Sequence, residues 1–115
     1  MLERVEFDAV LRGPDRLSHR AIRLHYLRQP GAGARLGVII AKRVAPRAVD
    51  RNRFKRLARE AFRHVADALA GFDLVVVAKP DVLALDARAV REALDSTFAR
   101  LAKLNAPVQV GTIAR

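Results

Sequence analysis

The most regular pattern of apolar and polar positions lies between residues 49 and 65. Apolar side chains recur there at the i, i+3, i+4 and i+7 spacing of an amphipathic helix, at Phe54, Leu57, Ala58, Ala61, Phe62 and Val65. Pro46 disfavours a helical conformation just before this segment, so we expect the helix to begin near residues 48–50. Asp50 then lies close to the positive end of the helix dipole. The pattern predicts a long helix with one face packed against a core.

The segments before this helix predict a shorter helix and two strands. Residues 3–12 have apolar positions on one side and are followed by Gly13-Pro14, which ends a helix. The second half of segment 16–28 alternates as a half-buried strand does. One face of that strand would carry Ile22, Leu24 and Tyr26, and the other Arg23, His25 and, in part, Arg28. A hairpin turn is predicted at residues 29–33, and the continuous apolar run at residues 35–41 predicts a strand near the sheet centre.

The segments after the long helix predict a strand, a helix and a tail. Residues 72–79 form a second continuous apolar run. Asp86 can cap a last helix, with an apolar stripe formed by Val90, Leu94, Thr97, Phe98, Leu101 and Leu104. Two alternatives stay open for residues 107–115, a short edge strand or a flexible tail. The element order predicts a single domain, residues 1–115, with an α/β (α+β) two-layer sandwich in which about three helices pack on a small mixed sheet.

The polar face of the predicted long helix is strongly basic. Opposite the apolar stripe lie Asn52, Arg56, Arg59 and Arg63, flanked by Arg53, Lys55 and Glu60. A solvated charged face is the usual explanation for such a row. Like charges one turn apart repel, however, and Glu60 is the one acid between residues 51 and 63, so a bound polyanion is the better explanation. Because a guanidinium can hold two phosphate oxygens or stack on a base, this helix indicates nucleic-acid binding.

The overall charge supports this interpretation. The chain has 115 residues, a formal net charge of +10 and a pI near 11.5, which favours phosphate backbones or anionic membranes as partners. No membrane partner is predicted, because no apolar run approaches the ~20 residues that span a bilayer and the charged N-terminus does not fit a secretory signal. The absence of cysteine excludes disulfides and thiolate zinc sites and agrees with a cytoplasmic protein.

The sequence offers few candidates for catalysis by the protein alone. His19, His25 and His64 lack the spacing of metal ligands and are expected at the surface or against phosphate. The acids are expected at helix caps and solvated positions, with no convergent pair for acid–base or two-metal chemistry, at Asp8, Asp67, Asp73, Asp81, Asp86, Glu92 and Asp95. We therefore predict no catalytic residue, no metal held by the protein and no small-molecule substrate.

Residues 41–63, AKRVAPRAVDRNRFKRLAREAFR, resemble the protein subunit of bacterial ribonuclease P. That family is marked by a buried strand ending in two basic residues, a short loop, and a helix that opens with Arg-Asn-Arg, then Lys-Arg and a further Arg. The matching residues follow one another without a gap, at Lys42-Arg43, Arg51-Asn52-Arg53, Lys55-Arg56 and Arg59. The resemblance extends over most of the chain through Phe7 in the first helix, Leu36-Gly37 and the FDLVVVAK strand.

The resemblance implies a protein that assists a catalytic RNA in maturing the 5′ end of transfer RNA, with Mg²⁺ bound chiefly by the RNA subunit. Its fold would contain a left-handed βαβ crossover, an exception to the right-handed rule. The implied partners are ribonuclease P RNA and the 5′ leader of precursor tRNA. RNA contacts are expected at Lys42, Arg43, Arg51, Asn52, Arg53, Lys55, Arg56, Arg59 and Arg63.

The resemblance also implies a cleft for the single-stranded leader, between the first helix and one sheet face. It would be lined by the face of strand 35–41 and by Phe7, Leu11, His25 and Tyr26. Phe7 and Tyr26 are the best candidates for an accessible ring. Leu11 and His25 stand where the family often has aromatic residues, so base stacking is expected to be weaker here, and Tyr26 points to the other face if its strand is regular.

Other functions fit parts of the pattern. A structural RNA-binding protein of ribosomal type would share the basic helix but lack the leader cleft. A self-sufficient nuclease requires an acid pair that is not evident, and a helix-turn-helix DNA-binding protein requires a partner helix where this chain has strand-like runs. The predicted function is therefore that of a ribonuclease P protein subunit, with the structural RNA-binding protein as the alternative.

Overall fold

The computed structural model describes residues 4–105, and of residues 4–6 and 105 it describes the backbone alone. The elements in this range are α1 (Arg4–Arg12), β1 (Arg16–Ser18), β2 (Ile22–Arg28), β3 (Arg35–Ile39), α2 (Ala48–Val65), β4 (Phe72–Ala78) and α3 (Ala87–Asn105). Short 3₁₀ turns at Asp67–Leu69 and Pro80–Ala84 flank β4. The predicted helices and the three longer strands are confirmed, whereas β1 was not predicted. The strand at residues 35–41 was predicted near the sheet centre, and this position is wrong, because β3 lies at the edge of the sheet. The predicted tail at residues 107–115 lies outside the described range.

The four strands form one mixed sheet in the order β1-β2-β4-β3. The β1–β2 and β2–β4 pairs are antiparallel, and the β3–β4 pair is parallel. The chain therefore passes through α2 between two adjacent parallel strands. This arrangement confirms the predicted mixed α+β sandwich, while the left-handed sense of the crossover stays a prediction.

The predicted hairpin turn at residues 29–33 is wrong, because β2 and β3 are not neighbours in the sheet. β4 lies between them, and the loop at residues 29–33 instead contacts Gly71, the residue directly before β4. Gln29 N–H donates to Gly71 O at 2.7 Å, and Gly71 N–H donates to Ala32 O at 2.9 Å. Gly31 and Gly71 have φ angles of 85° and 91°, in the left-handed region that glycine adopts without strain. Turn-forming composition between two strands does not reveal that a later strand inserts between them.

The larger core lies between the sheet and the helices α2 and α3. Its fully buried side chains include Ile22, Leu24, Leu74, Leu94 and Phe98. Leu104, predicted in the apolar stripe of α3, is instead 41% exposed. The Asp86 carboxylate accepts a hydrogen bond from Ala89 N–H at 2.8 Å, which confirms the predicted cap.

A smaller apolar cluster lies on the opposite face of the sheet, beneath α1. It consists of the buried Val10 and Val75, with Phe7, Leu11, Leu27, Ile39 and Val77 packed around them. Because α1 has only nine residues, it covers part of this face and leaves Ile39 and Val77 half-buried. The sheet thus separates two apolar layers of unequal size. Among residues 4–105, no helix is both long and apolar enough to cross a membrane.

Candidate nucleic-acid interface

The polar side of α2 carries a continuous cationic surface. Phe54, Ala58 and Ala61 are buried on one side of this 18-residue helix, which is about 27 Å long. The opposite side and the turn before the helix are exposed and form the basic surface, which consists of Lys42, Arg43, Asn52, Arg53, Arg56, Arg59 and Arg63. The structure therefore brings most of the predicted RNA-binding residues to one solvent-facing region.

The two acids of α2 are directed away from this surface. Asp50 faces Arg47 at 4.0 Å, and Glu60 faces Arg91 of α3 at 3.9 Å. In the part of the chain that the structure describes, no carboxylate forms an ion pair with a cation of the basic surface. Each pair of like charges one turn apart costs a few tenths of a kcal/mol in a helix. The surface is therefore complementary to a polyanion, which would relieve this repulsion.

Arg51 and Lys55, which were also predicted to bind RNA, are half-buried. The Arg51 Nη1 group donates hydrogen bonds to the carbonyl oxygens of Ala45, at 2.9 Å, and Pro46, at 2.8 Å. These bonds tie the loop between β3 and α2 to the first turn of the helix. Arg51 thus helps to fix the backbone that leads from Lys42 and Arg43 into α2.

A second surface lies between α1 and the sheet. This α1 cleft consists of Phe7, Leu11, His25, Ile39 and Val77. The Phe7 ring lies directly against Gly37 of β3, where a Cβ atom would overlap with it. Phe7 and Leu11 pack around Val75, the residue that pairs with His25 across β2 and β4. Three of the four side chains predicted to line the leader cleft are therefore brought together.

Tyr26, the fourth predicted residue, lies on the other face of the sheet. Its ring makes an edge contact with Phe72, with ring centroids 5.6 Å apart, and packs against the larger core. Strand alternation explains this placement, because residues 25 and 27 of β2 point toward α1 and residue 26 points away. The prediction that Tyr26 lines the cleft with Phe7 is wrong.

His25 is buried in the cleft floor, at 4% exposed, rather than at the surface as predicted. Its Nε2 atom accepts a hydrogen bond from Arg23 Nε at 2.8 Å. Its Nδ1 atom is buried and has no hydrogen-bond partner among the residues that the structure describes. Burial lowers the pKa of His25 below its ordinary value of 6.5, and the positive charges of Arg23 and Arg16 lower it further. The side chain is therefore neutral near pH 7, with its proton on Nδ1.

Asp73 is buried as well, at 1% exposed, so its predicted solvated position is also wrong. Arg35 donates to both carboxylate oxygens, from Nε at 2.9 Å and from Nη2 at 2.7 Å. The one sequence signal for this pair is the polar residue inside the apolar run FDLVVVAK, since a buried carboxylate requires a cation or several hydrogen-bond donors. The pair neutralises an acid that would otherwise be a candidate for acid–base chemistry.

The fold and its two surfaces define a small basic α+β protein suited to binding nucleic acid. Residues 1–102 match the family model described as Ribonuclease P. Over 108 residues the chain is 40% identical to the ribonuclease P protein component of Salmonella arizonae, covering 90% of this chain and 87% of that protein. It is 48% identical over 71 residues to the protein of the same name from Thioalkalivibrio sulfidiphilus, covering 62% of this chain and 59% of that protein. The chain therefore belongs to the ribonuclease P protein component family.

Solved structures agree with this assignment. The RNase P protein of Staphylococcus aureus superposes with a TM-score of 0.78 at 19% identity, covering 86% of this chain and 91% of that one. The RNase P protein of Thermotoga maritima superposes with a TM-score of 0.68 at 26% identity, covering 79% of this chain and 86% of that one. The α+β architecture predicted from the sequence is thus the architecture of this family.

Proposed function

We propose that this chain is the protein subunit of the ribonuclease P ribonucleoprotein and assists the catalytic RNA in the endonucleolytic removal of the 5′ leader from precursor tRNA. The observation that carries the proposal is the basic surface, whose cations lack carboxylate partners in the described chain. Family membership supports it. A purely structural RNA-binding protein of ribosomal type is not favoured, because it has no need of the α1 cleft. The expected compartment is the cytoplasm.

The basic surface would bind ribonuclease P RNA through its phosphates. Each arginine can hold two phosphate oxygens through parallel N–H groups, a geometry that lysine lacks. Because these contacts are made to the phosphate backbone of the RNA, they orient the protein on RNA without selecting a base sequence. The bonds from Arg51 to the β3–α2 loop reduce the freedom that this backbone must lose on binding.

The α1 cleft would bind the single-stranded leader. The half-buried Phe7 ring, with half-buried Ile39 and Val77 beside it, offers apolar surface. A base stacked on an aromatic ring contributes about 1–3 kcal/mol, so the cleft can favour precursor over mature tRNA. Because the cleft and α2 lie on opposite faces of the sheet, both RNA segments can be bound at once.

The chemical step is assigned to the RNA subunit. Among the described side chains of residues 7–104, no group of three or more His, Asp or Glu residues is placed to hold a metal ion, and the buried Asp73 is engaged by Arg35. Mg²⁺ is therefore expected to be bound chiefly by RNA. The protein's part is to reduce phosphate repulsion when precursor tRNA meets the catalytic RNA.

The test is cleavage of a precursor tRNA with a 5′ extension at low Mg²⁺ concentration. Three samples are compared: the protein alone, a bacterial ribonuclease P RNA alone, and the two together. Cleavage only or chiefly in the mixture is the expected result. Cleavage by the protein alone would contradict the assignment of chemistry to RNA, and an unchanged rate with a competent RNA would favour the structural RNA-binding alternative.

A second comparison tests the cleft. Phe7→Ala is expected to weaken binding of precursor tRNA by roughly tenfold, the equivalent of one lost stacking contact, and to leave binding of mature tRNA unchanged. Equal losses for both would show that Phe7 serves packing alone.

A further inference from the structure

The strand register places side chains in rows across the α1 face of the sheet. In one row Ser18, Arg23 and Val77 lie side by side, followed by Ile39. In the next row Arg16 lies beside His25, followed by Val75 and Gly37. The Phe7 ring covers the Gly37 end of this second row. Two arginines therefore stand at the β1–β2 side of the same cleft that Phe7 closes from the β3 side.

Arg23 has unused hydrogen-bonding capacity in a half-buried position. A guanidinium carries five N–H donors, and in the described chain Arg23 makes one side-chain hydrogen bond, from Nε to His25 Nε2 at 2.8 Å. The four N–H groups on its terminal nitrogens have no partner in that range. Neither Arg23 nor the exposed Arg16 forms an ion pair with a carboxylate of residues 7–104, whose side chains the structure describes.

The hydrogen bond to His25 restricts the orientation of the Arg23 side chain. With Nε2 as the acceptor, the imidazole keeps its proton on Nδ1, a buried atom that has no hydrogen-bond partner in the described part of the chain. An unsatisfied buried donor destabilises a fold, so this arrangement is a poor one for stability alone. It fixes the planar guanidinium at its Nε edge and leaves the opposite edge, with its paired N–H groups, for another ligand.

We propose that Arg23 and Arg16 bind a phosphodiester of single-stranded RNA lying in the α1 cleft, and that His25 is the residue that positions Arg23. Two guanidinium groups without a carboxylate partner in the described chain favour an anion, and the half-buried Val77 and Ile39 beside them suit the ribose and base that a phosphodiester carries. An acidic protein segment would match the cations but gains less from this apolar floor. The proposal rests on the proposed function, which supplies the 5′ leader as the single strand. It adds a phosphate contact on the sheet face opposite the basic surface.

The experiment uses the complex of the protein with ribonuclease P RNA and precursor tRNAs in which single leader phosphates are replaced by neutral methylphosphonates, one position at a time. With the unmodified protein, one or two linkages are expected to weaken binding about tenfold, as expected for one charge-assisted hydrogen bond. With Arg23→Gln, binding of the unmodified precursor is expected to be about tenfold weaker, with a clearly smaller further loss at those linkages, because only Arg16 still faces the phosphate. Arg20→Gln is the matched control, because Arg20 is exposed and faces Asp81 at 3.9 Å.

The positioning role of His25 is tested in the same assay. His25→Gln keeps a side-chain acceptor and is expected to retain the sensitivity to neutral linkages, whereas His25→Leu removes the acceptor and is expected to behave like Arg23→Gln. The effect of His25→Leu is expected in the KM for precursor rather than in kcat, since the site contributes to binding. Urea unfolding of each variant identifies any that lose affinity through misfolding.

The outcomes separate this proposal from the proposed function. If the mixture cleaves precursor but Arg23→Gln keeps full sensitivity to every neutral linkage, the phosphate site is refuted and the subunit role stands. If the mixture shows no stimulated cleavage, the subunit role is refuted, and the site is tested by fluorescence anisotropy of the protein with a labelled single-stranded oligoribonucleotide. There, equal affinities for Arg23→Gln, Arg20→Gln and the unmodified protein refute the site. Binding of an acidic peptide in place of the oligoribonucleotide would also overturn it.

Discussion

The contact between Phe7 and Gly37 makes Gly37→Ala a sharp test of how the α1 cleft is built. The φ angle of Gly37 is not in the left-handed region, so its backbone accepts alanine. At such a site the change usually stabilises a protein by about 0.4–1 kcal/mol, because it restricts the unfolded chain. Here the added Cβ would lie 2.5 Å from Cζ of Phe7, where ordinary contacts begin at 3.4 Å. The ring must therefore move by about 1 Å.

Overpacking of this kind costs about 1–3 kcal/mol, and the half-buried ring can move toward solvent, which favours the lower part of that range. After the gain from restricting the unfolded chain is subtracted, we expect a net loss of about 0.5–1.5 kcal/mol in the free energy of unfolding, or a fall in Tm of about 2–8 °C for a domain of this size. Binding of precursor tRNA is expected to weaken, and binding of mature tRNA to stay unchanged, because α2 lies on the other face of the sheet.

Urea unfolding followed by circular dichroism measures the stability, with Gly33→Ala as the matched control. Gly33 also lacks a left-handed φ, and a Cβ there would meet nothing within 4 Å. Adding Phe7→Leu to Gly37→Ala should recover part of the loss, since the smaller side chain leaves room for the methyl group. If Gly37→Ala is as stable as Gly33→Ala, and the two changes in the double variant are additive, the ring does not rest on this glycine.

Three further predictions address the charged groups. Arg59→Gln should reduce the slope of log affinity against log salt concentration for ribonuclease P RNA by about 0.7–0.9. Arg88→Gln is the control and should leave the slope unchanged, because the Arg88 side chain on α3 is 89% exposed. Equal slopes for the two variants would show that Arg59 is not part of the interface. Asp73→Asn should lower the free energy of unfolding by about 1–3 kcal/mol, because the neutral amide cannot accept both hydrogen bonds from Arg35; an unchanged urea midpoint would contradict this. Since the pKa of His25 is lower in the folded than in the unfolded protein, the unfolded state binds the proton first. Stability should therefore fall as pH drops below about 6.5 toward the lower folded pKa, and this part of the pH dependence should be absent in His25→Gln.

Local patterns in the sequence predicted the helices well, because each carries its own signal. The stripe from Phe54 to Val65 determines which side of α2 packs, and the exposed arginines follow from it. The carboxylate of Asp86 caps α3 as its position suggested. These predictions depend on neighbours within one or two turns of the same helix.

Predictions that depend on distant parts of the chain were less successful. The hairpin between β2 and β3 was wrong because the strand inserted between them is formed by residues 72–78, far along the sequence. The same pairing of β3 with β4 brings Arg35 to the buried Asp73 and places Gly37 where the Phe7 ring packs against it. Tyr26 was assigned to the cleft from the resemblance, although strand alternation alone places it with the larger core.

The strand order also has a consequence for how the protein folds during synthesis. Among the strands of residues 4–105, β4 comes last in sequence, yet it occupies an inner position and supplies the partner for both β2 and β3. Until residues 72–78 have left the ribosome, β3 has no neighbour, and only the short β1–β2 pair can form. Pairing over such sequence distances requires the closure of long loops, which slows folding. The basic segment of α2 is therefore made before the sheet that supports it, and it acquires its fixed geometry only when β4 completes the sheet.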